Sequence, residues 1–271
     1  MAELGAFFAV EGVEDAVYAF RTSSDPDEYA ARLMRATGTE ILLVDDGYPP
    51  TDVGTTWQEL AELAGCPARP VLRLETRGGE AAAETATARE RGFAALKTIA
   101  AYRGGLDRVS ENVVDALEAN EATGAPLPVQ VHCGFGDADL HLPRADPGHL
   151  KPLIERFAET SFVLLHCYPF VREAGWLAHV YGNVYFDLSL TIPHVYRPTE
   201  AVREALELAP VSKLIYASDA ARTPELYYLA ARWWRAALAE VLSEALPPDR
   251  AEAAGRMILR ENAVRLYGLP G

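Results

Sequence analysis

The chain has 271 residues, of which 49% are hydrophobic and 24% charged, enough for one large core. Its 39 acidic and 25 basic residues leave a net charge of −14, which argues against nonspecific binding to nucleic acid or to anionic membranes. No apolar run reaches the roughly 18 residues that a membrane span needs, and three scattered cysteines cannot form a disulfide framework.

The chain opens with MAELGAFFAVEGVEDAVYAF, which carries acids where a secretion signal needs Lys or Arg. The default expectation is a soluble cytoplasmic protein that acts on a small molecule. Residues 5–10, GAFFAV, have the composition of a short strand. Residues 1–36 as a whole are expected to be mainly helical. In DEYAARLMRA, Asp25 is placed to cap a helix and Glu28 to supply the acid three positions on.

Seven apolar runs then follow at regular intervals: ILLVD (41–45), PVLRLE (70–75), AALKTIA (94–100), PVQVHC (128–133), SFVLLHC (161–167), NVYFDLS (183–189) and KLIYASD (213–219). Stretches rich in Ala, Leu, Glu and Arg lie between most of them. Strands alternating with helices predict parallel pairing, because parallel strands need crossovers. No Gly-, Ser- or Pro-rich linker divides the chain, so one domain over residues 1–271 is expected. The chain closes with two more helical stretches. Their aromatics, Tyr227, Tyr228, Trp233 and Trp234, read as packing, and Gly268 reads as a helix C-cap.

Seven such strands fit either an open doubly wound sheet or most of a (β/α)8 barrel. The Gly-rich phosphate turn of a dinucleotide-binding sheet is missing. Polar residues sit instead at strand carboxyl ends: Asp45, Glu75, Lys97, His132, His166, Asp187 and Asp219. A barrel would converge these ends on one mouth, where active sites form. The expected fold is therefore α/β, an incomplete TIM-barrel-like (β/α)8 architecture with seven parallel strands.

Two of the six histidines close similar strands as His-Cys, at 132–133 and 166–167. Strand alternation puts Gln130 and His132 on one face and Cys133 on the other, and sends Cys167 away from His166. The cysteines thus read as packing residues. Lys97, His132, His166 and Asp219 remain on four strand ends. Two imidazoles and a carboxylate suit Zn²⁺ or a similar divalent ion. Lysine ligates only as a carbamate; the alternative for Lys97 is an ion pair with Asp219 or Glu75. Arg103 and Arg172 follow the third and fifth of these runs, where they could clamp a substrate carboxylate or form ordinary surface ion pairs. His194 could line the pocket or sit in a solvated loop. The segment GFGDADLHLP, with Asp137, Asp139 and His141, fits a lid or a turn.

VQVHCGFGD, LLHCYPFVREAGWLA, NVYFDLSL, SKLIYASDA and RENAVRLYGL together resemble the metal-dependent amidohydrolase superfamily. The likeness is to the branch related to the amidohydrolase domain found with glutamine synthetase-like proteins, and runs from about residue 25 to the C-terminus. It implies that His132 and His166 are metal ligands. It also implies that Asp219 is a ligand and proton acceptor, that His166 or the metal stabilises an oxyanion, and that Lys97 matches the lysine carbamylated in some branches. The family's first strand carries His-x-His, and this sequence contains none. Either the chain starts after that strand or it is a reduced relative. Loss of that pair predicts weak metal retention, with Lys97 unmodified beside Asp219. An open barrel would expose two strand edges, which invites covering by the N-terminal helices or pairing with a second copy. The implied activity is metal-dependent hydrolysis of an amide C–N bond, and Arg103 and Arg172 point to a carboxylate-bearing substrate such as a γ-glutamyl amide. Nonoxidative decarboxylation on the same scaffold and an inactive binding module are the alternatives.

Overall fold

Six parallel strands succeed one another across one sheet in chain order: β1 (Leu42–Asp45), β2 (Ala68–Arg73), β3 (Ala95–Thr98), β4 (Val129–Cys133), β5 (Phe162–His166) and β6 (Val184–Phe186). The computed structural model describes residues 1–48 and 54–270. Each strand pairs with the next, which is the winding of a barrel; a doubly wound sheet would reverse its order at a switch point. The register sets Arg73 opposite Lys97, Lys97 opposite Gln130 and Cys133 opposite His166. Carboxyl ends of neighbouring strands thereby stay level.

The crossovers are helical, as parallel pairing requires. After three N-terminal helices come α4 (Trp57–Ala64), α5 (Ala81–Ala88), α6 (Glu111–Ala122), α7 (Lys151–Arg156) and α8 (Val171–Val180). Thr56 and Glu59 close a capping box on α4, which satisfies two amides that the first turn cannot. The C-terminal part holds α9 (Thr191–His194), α10 (Pro198–Leu206), α11 (Pro224–Ala245), α12 (Pro248–Arg256) and α13 (Asn262–Tyr267), with Gly268 as a left-handed cap. No helix among the described residues is long and apolar enough to cross a membrane.

The apolar core divides by strand alternation. Leu72, Leu96, Val129, Val131, Phe162, Leu164, Val184 and Phe186 face the helices, in one cluster with Trp234 and Leu238 of α11. Val71, Ala95, Val163, Leu165 and Ile215 face inward with Tyr267. Phe162, Phe186 and Trp234 are fully buried. Each such side chain contributes about 1.5–3 kcal/mol by leaving water.

The seventh expected strand is reduced to one bridge. Leu214 pairs in parallel with Phe186, and Ile215 N donates to Phe186 O at 3.0 Å. The next amide is taken elsewhere: Tyr216 N donates to Ile258 O at 3.0 Å, inside a π-helical turn over Met257–Glu261. Asn262 Nδ2 holds the carbonyls of Val211 and Leu214 at 2.8 and 2.9 Å. The C-terminal helix therefore takes the hydrogen bonds that a longer strand would share.

Residues 5–10 form no strand. They belong to α1 (Ala2–Phe8) and its left-handed end at Ala9. With α2 (Glu14–Ser23) and α3 (Pro26–Arg35) this segment packs Leu4, Phe8, Val17, Tyr29 and Leu33 against Tyr228 of α11. Asp25 caps α3, accepting from Asp27 N at 3.1 Å and Glu28 N at 3.0 Å. Among the described residues β1 pairs with β2 alone. A cavity of about 1260 Å³ lies between β1 and the stretch from Ile215 to Asp219, both of which line it.

Candidate active site

Inward alternation carries Asp45, Arg73, Lys97, Gln130 and His132 to the same side as Leu43, Val71 and Ala95. Gln130 spends its amide on Tyr267 Oη at 3.1 Å. His166 breaks this rule. Alternation with Phe162 and Leu164 would turn it toward the helices. Its backbone is left-handed instead, with φ 68°, as is that of Cys167. The reversal brings the His166 ring to 4.6 Å from that of His132 and puts Cys167 in the helix-facing core beside Cys133. Such backbone costs a non-glycine residue about 1–2 kcal/mol, which the surrounding packing must offset. All three cysteines are unpaired thiols.

The two imidazoles are buried, His132 at 6% and His166 at 1% exposure. His132 Nε2 has no hydrogen-bond partner among the described residues. His166 Nε2 makes no hydrogen bond among the described residues and lies 3.9 Å from Asp219 Oδ2. Burial holds both rings well below the usual imidazole range. His166 and Lys97 add to this at His132, and Lys97 at His166. Both are therefore neutral. Tyr102 packs its ring 4.7 Å from that of His132 and accepts from Asp137 N at 3.0 Å. The loop after β4 is fixed closely over this pair. A Cβ on Gly136 would lie 3.1 Å from His132 Nε2, and one on Gly134 (φ 76°) would lie 2.3 Å from Tyr168 O.

Beneath His166 sits a group that sequence reasoning had not assigned a role. Asp187 Oδ1 accepts from His166 N at 2.7 Å, Ser189 N at 2.9 Å and Ser189 Oγ at 2.7 Å. His166 Nδ1 lies 2.7 Å from Ser189 Oγ. Burial pushes the Asp187 carboxyl up to about 6 against these hydrogen bonds. The sequence signal was the run FDLS closing the sixth strand.

Lys97 does not pair with Asp219 or Glu75. Its Nζ lies 3.2 Å from Asp45 Oδ2, where Arg73 also donates from Nε at 3.0 Å and from Nη2. Glu75 accepts instead from Thr98 Oγ1 and Ile99 N. Asp45 wins because it shares the inward side with both cations. Burial raises the Asp45 carboxyl, but Lys97 and Arg73 outweigh it and hold the group below its ordinary range. Asp219 is 36% exposed at the side chain, yet its carboxyl looks into a concave cavity walled by protein. Lost solvation there raises its pKa, opposed by Lys97 and His132.

The cavity reaches this group through Lys97, Asp187, Ser189 and Asp219; the imidazoles are not on its wall. Arg103 and Arg172 do not line it either. Arg103 is exposed and donates to Tyr102 O at 3.3 Å. Arg172, 73% exposed, pairs with Glu204 at 2.7 Å between α8 and α10. The guanidinium groups on the cavity wall are Arg21, Arg73, Arg77, Arg222, Arg235 and Arg260. Arg77 is engaged by Asp46, whereas Arg222 lies over the Tyr48 ring at 4.8 Å. His194 holds Leu190 O at 2.8 Å and packs against Phe135.

Among the described residues no group of three or more His, Cys, Asp or Glu side chains is placed to hold a metal ion. In kind, however, the donors fit a divalent ion. Neutral imidazoles are the form that ligates, and here His132 Nε2 is without a partner among the described residues while His166 Nε2 lies 3.9 Å from the Asp219 carboxylate. Lys97, an ammonium held by Asp45, does not fit as a ligand.

Residues 25–269 match the family model described as Amidohydrolase. Over 171 residues the chain is 39% identical to protein fluG of Emericella nidulans, a match covering 60% of this chain and 20% of that protein. The chain thus spans about a fifth of the length of this curated relative. A solved structure from Lactobacillus casei, described as a metal-dependent hydrolase, superposes with TM-score 0.82 at 29% identity, over 90% of this chain and 78% of that one. A uronate isomerase from Bacillus halodurans (TM-score 0.69, 13% identity, 99% and 76% covered) and a dihydroorotase from Campylobacter jejuni (0.60, 16%, 90% and 80%) share the fold. With the strand winding and the family match over nearly its whole length, the chain belongs to the amidohydrolase family.

Proposed function

We propose that the protein hydrolyses an amide C–N bond in a small, carboxylate-bearing substrate such as a γ-glutamyl amide. The observation that supports this is the pair of buried, neutral imidazoles beside Asp219: among the described residues His132 Nε2 finds no hydrogen-bond partner, and His166 Nε2 lies 3.9 Å from Asp219 Oδ2. His132, His166 and Asp219 would hold a divalent ion, zinc by donor type. Bound there, such an ion supplies Lewis acidity toward the carbonyl and acidifies water.

The protein's own groups do the rest. Asp219, its carboxyl raised by burial, takes the proton of the attacking water as the C–O bond forms. It returns that proton to the leaving nitrogen as the C–N bond breaks. Lys97 opposes the effect of burial on Asp219 and keeps Asp45 in place. The loop over His132, with Tyr102 and Gly136, keeps bulk water from the imidazoles. We assign the substrate carboxylate to Arg222, on the cavity wall, rather than to Arg103 and Arg172, which are not.

The test is zinc-reconstituted protein assayed on γ-glutamyl amides for release of the amine. Turnover that falls at least about 100-fold in Asp219→Asn is the expected result. Release of CO₂ instead, or no turnover of any amide by zinc-replete protein, refutes the proposal.

A further inference from the structure

Ser189 stands between a carboxylate and an imidazole and has one proton to give. Its Oγ lies 2.7 Å from Asp187 Oδ1 and 2.7 Å from His166 Nδ1. All three side chains are about 1% exposed. We propose that Asp187 and Ser189 are positioning residues that hold His166 as the Nδ1–H tautomer, so that its bare Nε2 faces His132 and Asp219. The inference rests on the reading of the site above, and its test separates the two.

The argument is a count of donors. A hydrogen bond from Ser189 to the Asp187 carboxylate is charge-assisted and roughly twice as strong as one between neutral groups. The hydroxyl proton therefore goes to Asp187. Asp187 Oδ1 already accepts two backbone amides at 2.7 and 2.9 Å, so that oxygen carries no proton of its own. Ser189 Oγ is then an acceptor toward His166, and Nδ1 must be the donor. One group argues the other way: Leu190 N points at His166 Nδ1 from 3.4 Å. That is the long edge of a neutral hydrogen bond and loses to the 2.7 Å contact. Thr191 Oγ1 completes the clamp, donating to His166 O at 2.6 Å. Asp187 thus fixes the left-handed backbone directly and the ring through Ser189. Partners of this kind around a ligating histidine tune affinity by about 10- to 100-fold.

Nitrogen-15 spectra of the full chain, labelled at histidine and free of metal, read the tautomer at neutral pH. The wild-type His166 should show a protonated Nδ1 and an unprotonated Nε2. Ser189→Ala should move the proton to Nε2, with Leu190 N then donating to Nδ1, and should leave the His132 signals in place. Ser189→Thr should keep the wild-type tautomer. Zinc affinity of the metal-free chain, measured by chelator competition, should fall about 10- to 100-fold in Ser189→Ala and return in Ser189→Thr. A wild-type ring protonated at Nε2 overturns the proposal without any variant, as does an unchanged tautomer in Ser189→Ala. A tautomer that switches while zinc affinity holds supports the positioning role, and counts instead against His166 as a ligand.

Discussion

Lys97 and Asp45 form an ion pair two strands apart, buried at the lysine and half-buried at the aspartate, Nζ to Oδ2 at 3.2 Å, with Arg73 on the strand between them sharing the same carboxylate. Removing the anion strands two cations. Asp45→Asn should cost about 3–5 kcal/mol in urea denaturation, and adding Lys97→Met should recover part of it. Because the folded carboxyl titrates below its ordinary value, this contribution is present at neutral pH. It is lost only as pH falls below about 4 and through the folded pKa. An unchanged midpoint in Asp45→Asn would contradict the pair's role.

The neutral histidines set a second pH window. The metal-free folded chain leaves His132 and His166 unprotonated where the unfolded chain, titrating near pH 6.5, takes protons up. Stability must then fall as pH drops below about 6.5, by up to about 2.7 kcal/mol per unit for two groups. Asp187 acts oppositely. Its folded carboxyl, up at about 6, binds a proton before the unfolded one, which restores stability between about pH 6 and 4. Asp187→Asn should therefore steepen the acid loss. Denaturation midpoints that stay level from pH 7 to about 5.5 would refute neutral, buried imidazoles.

Gly134 should tolerate no side chain. Its φ is 76°, and a Cβ there meets backbone on both sides of Tyr168. Gly134→Ala is expected to lose at least about 2 kcal/mol through strain and overlap. The tilted ring contact between Tyr102 and His132 should be disturbed with it, read as a shift of the His132 ring signals. A wild-type melting curve would count against this reading of the loop.

Zinc should be held weakly by this protein. Two imidazoles and a carboxylate would supply three ligands at most, are not gathered around one point here, and lack the neutral pair that His-x-His would add. Dialysis against a chelator should strip the ion, and elemental analysis should find it well below stoichiometric. Zinc retained one-to-one through that dialysis would show that ligands beyond these three take part.

Periodicity made most of the sheet legible. Val-, Ile- and Leu-rich runs bounded by polar residues located β1 to β6, and Asp25 announced α3. Where the sequence misled, a backbone or long-range event decided. KLIYASD has strand composition, but the partner for Tyr216 N is a carbonyl in a π turn some forty residues later, which no local pattern encodes. GAFFAV could form a short strand by composition, but it lies in a segment expected to be mainly helical, and Phe8 ends a helix there, packed against Phe20 and Tyr29. The histidines were found because matching strand ends converge. Their neighbours were not: Lys97 meets Asp45 through register, and His166 meets Ser189 through a left-handed turn. Arg172 carried the right chemistry on the wrong layer, held outward by Glu204.

The one-sided pairing of β1 has a consequence for local stability. Its four residues are only half-buried, whereas β4 and β5 lie mid-sheet with partners on both flanks. Amide hydrogen exchange should therefore be graded across the mouth, fast at Leu43 and Val44 and near the global unfolding limit at Val131 and Leu164. Asp45 rides on the fast-opening strand while the two imidazoles ride on the slow ones. Each excursion of β1 would carry the carboxylate off and bare the Lys97 ammonium, with the histidine pair left standing.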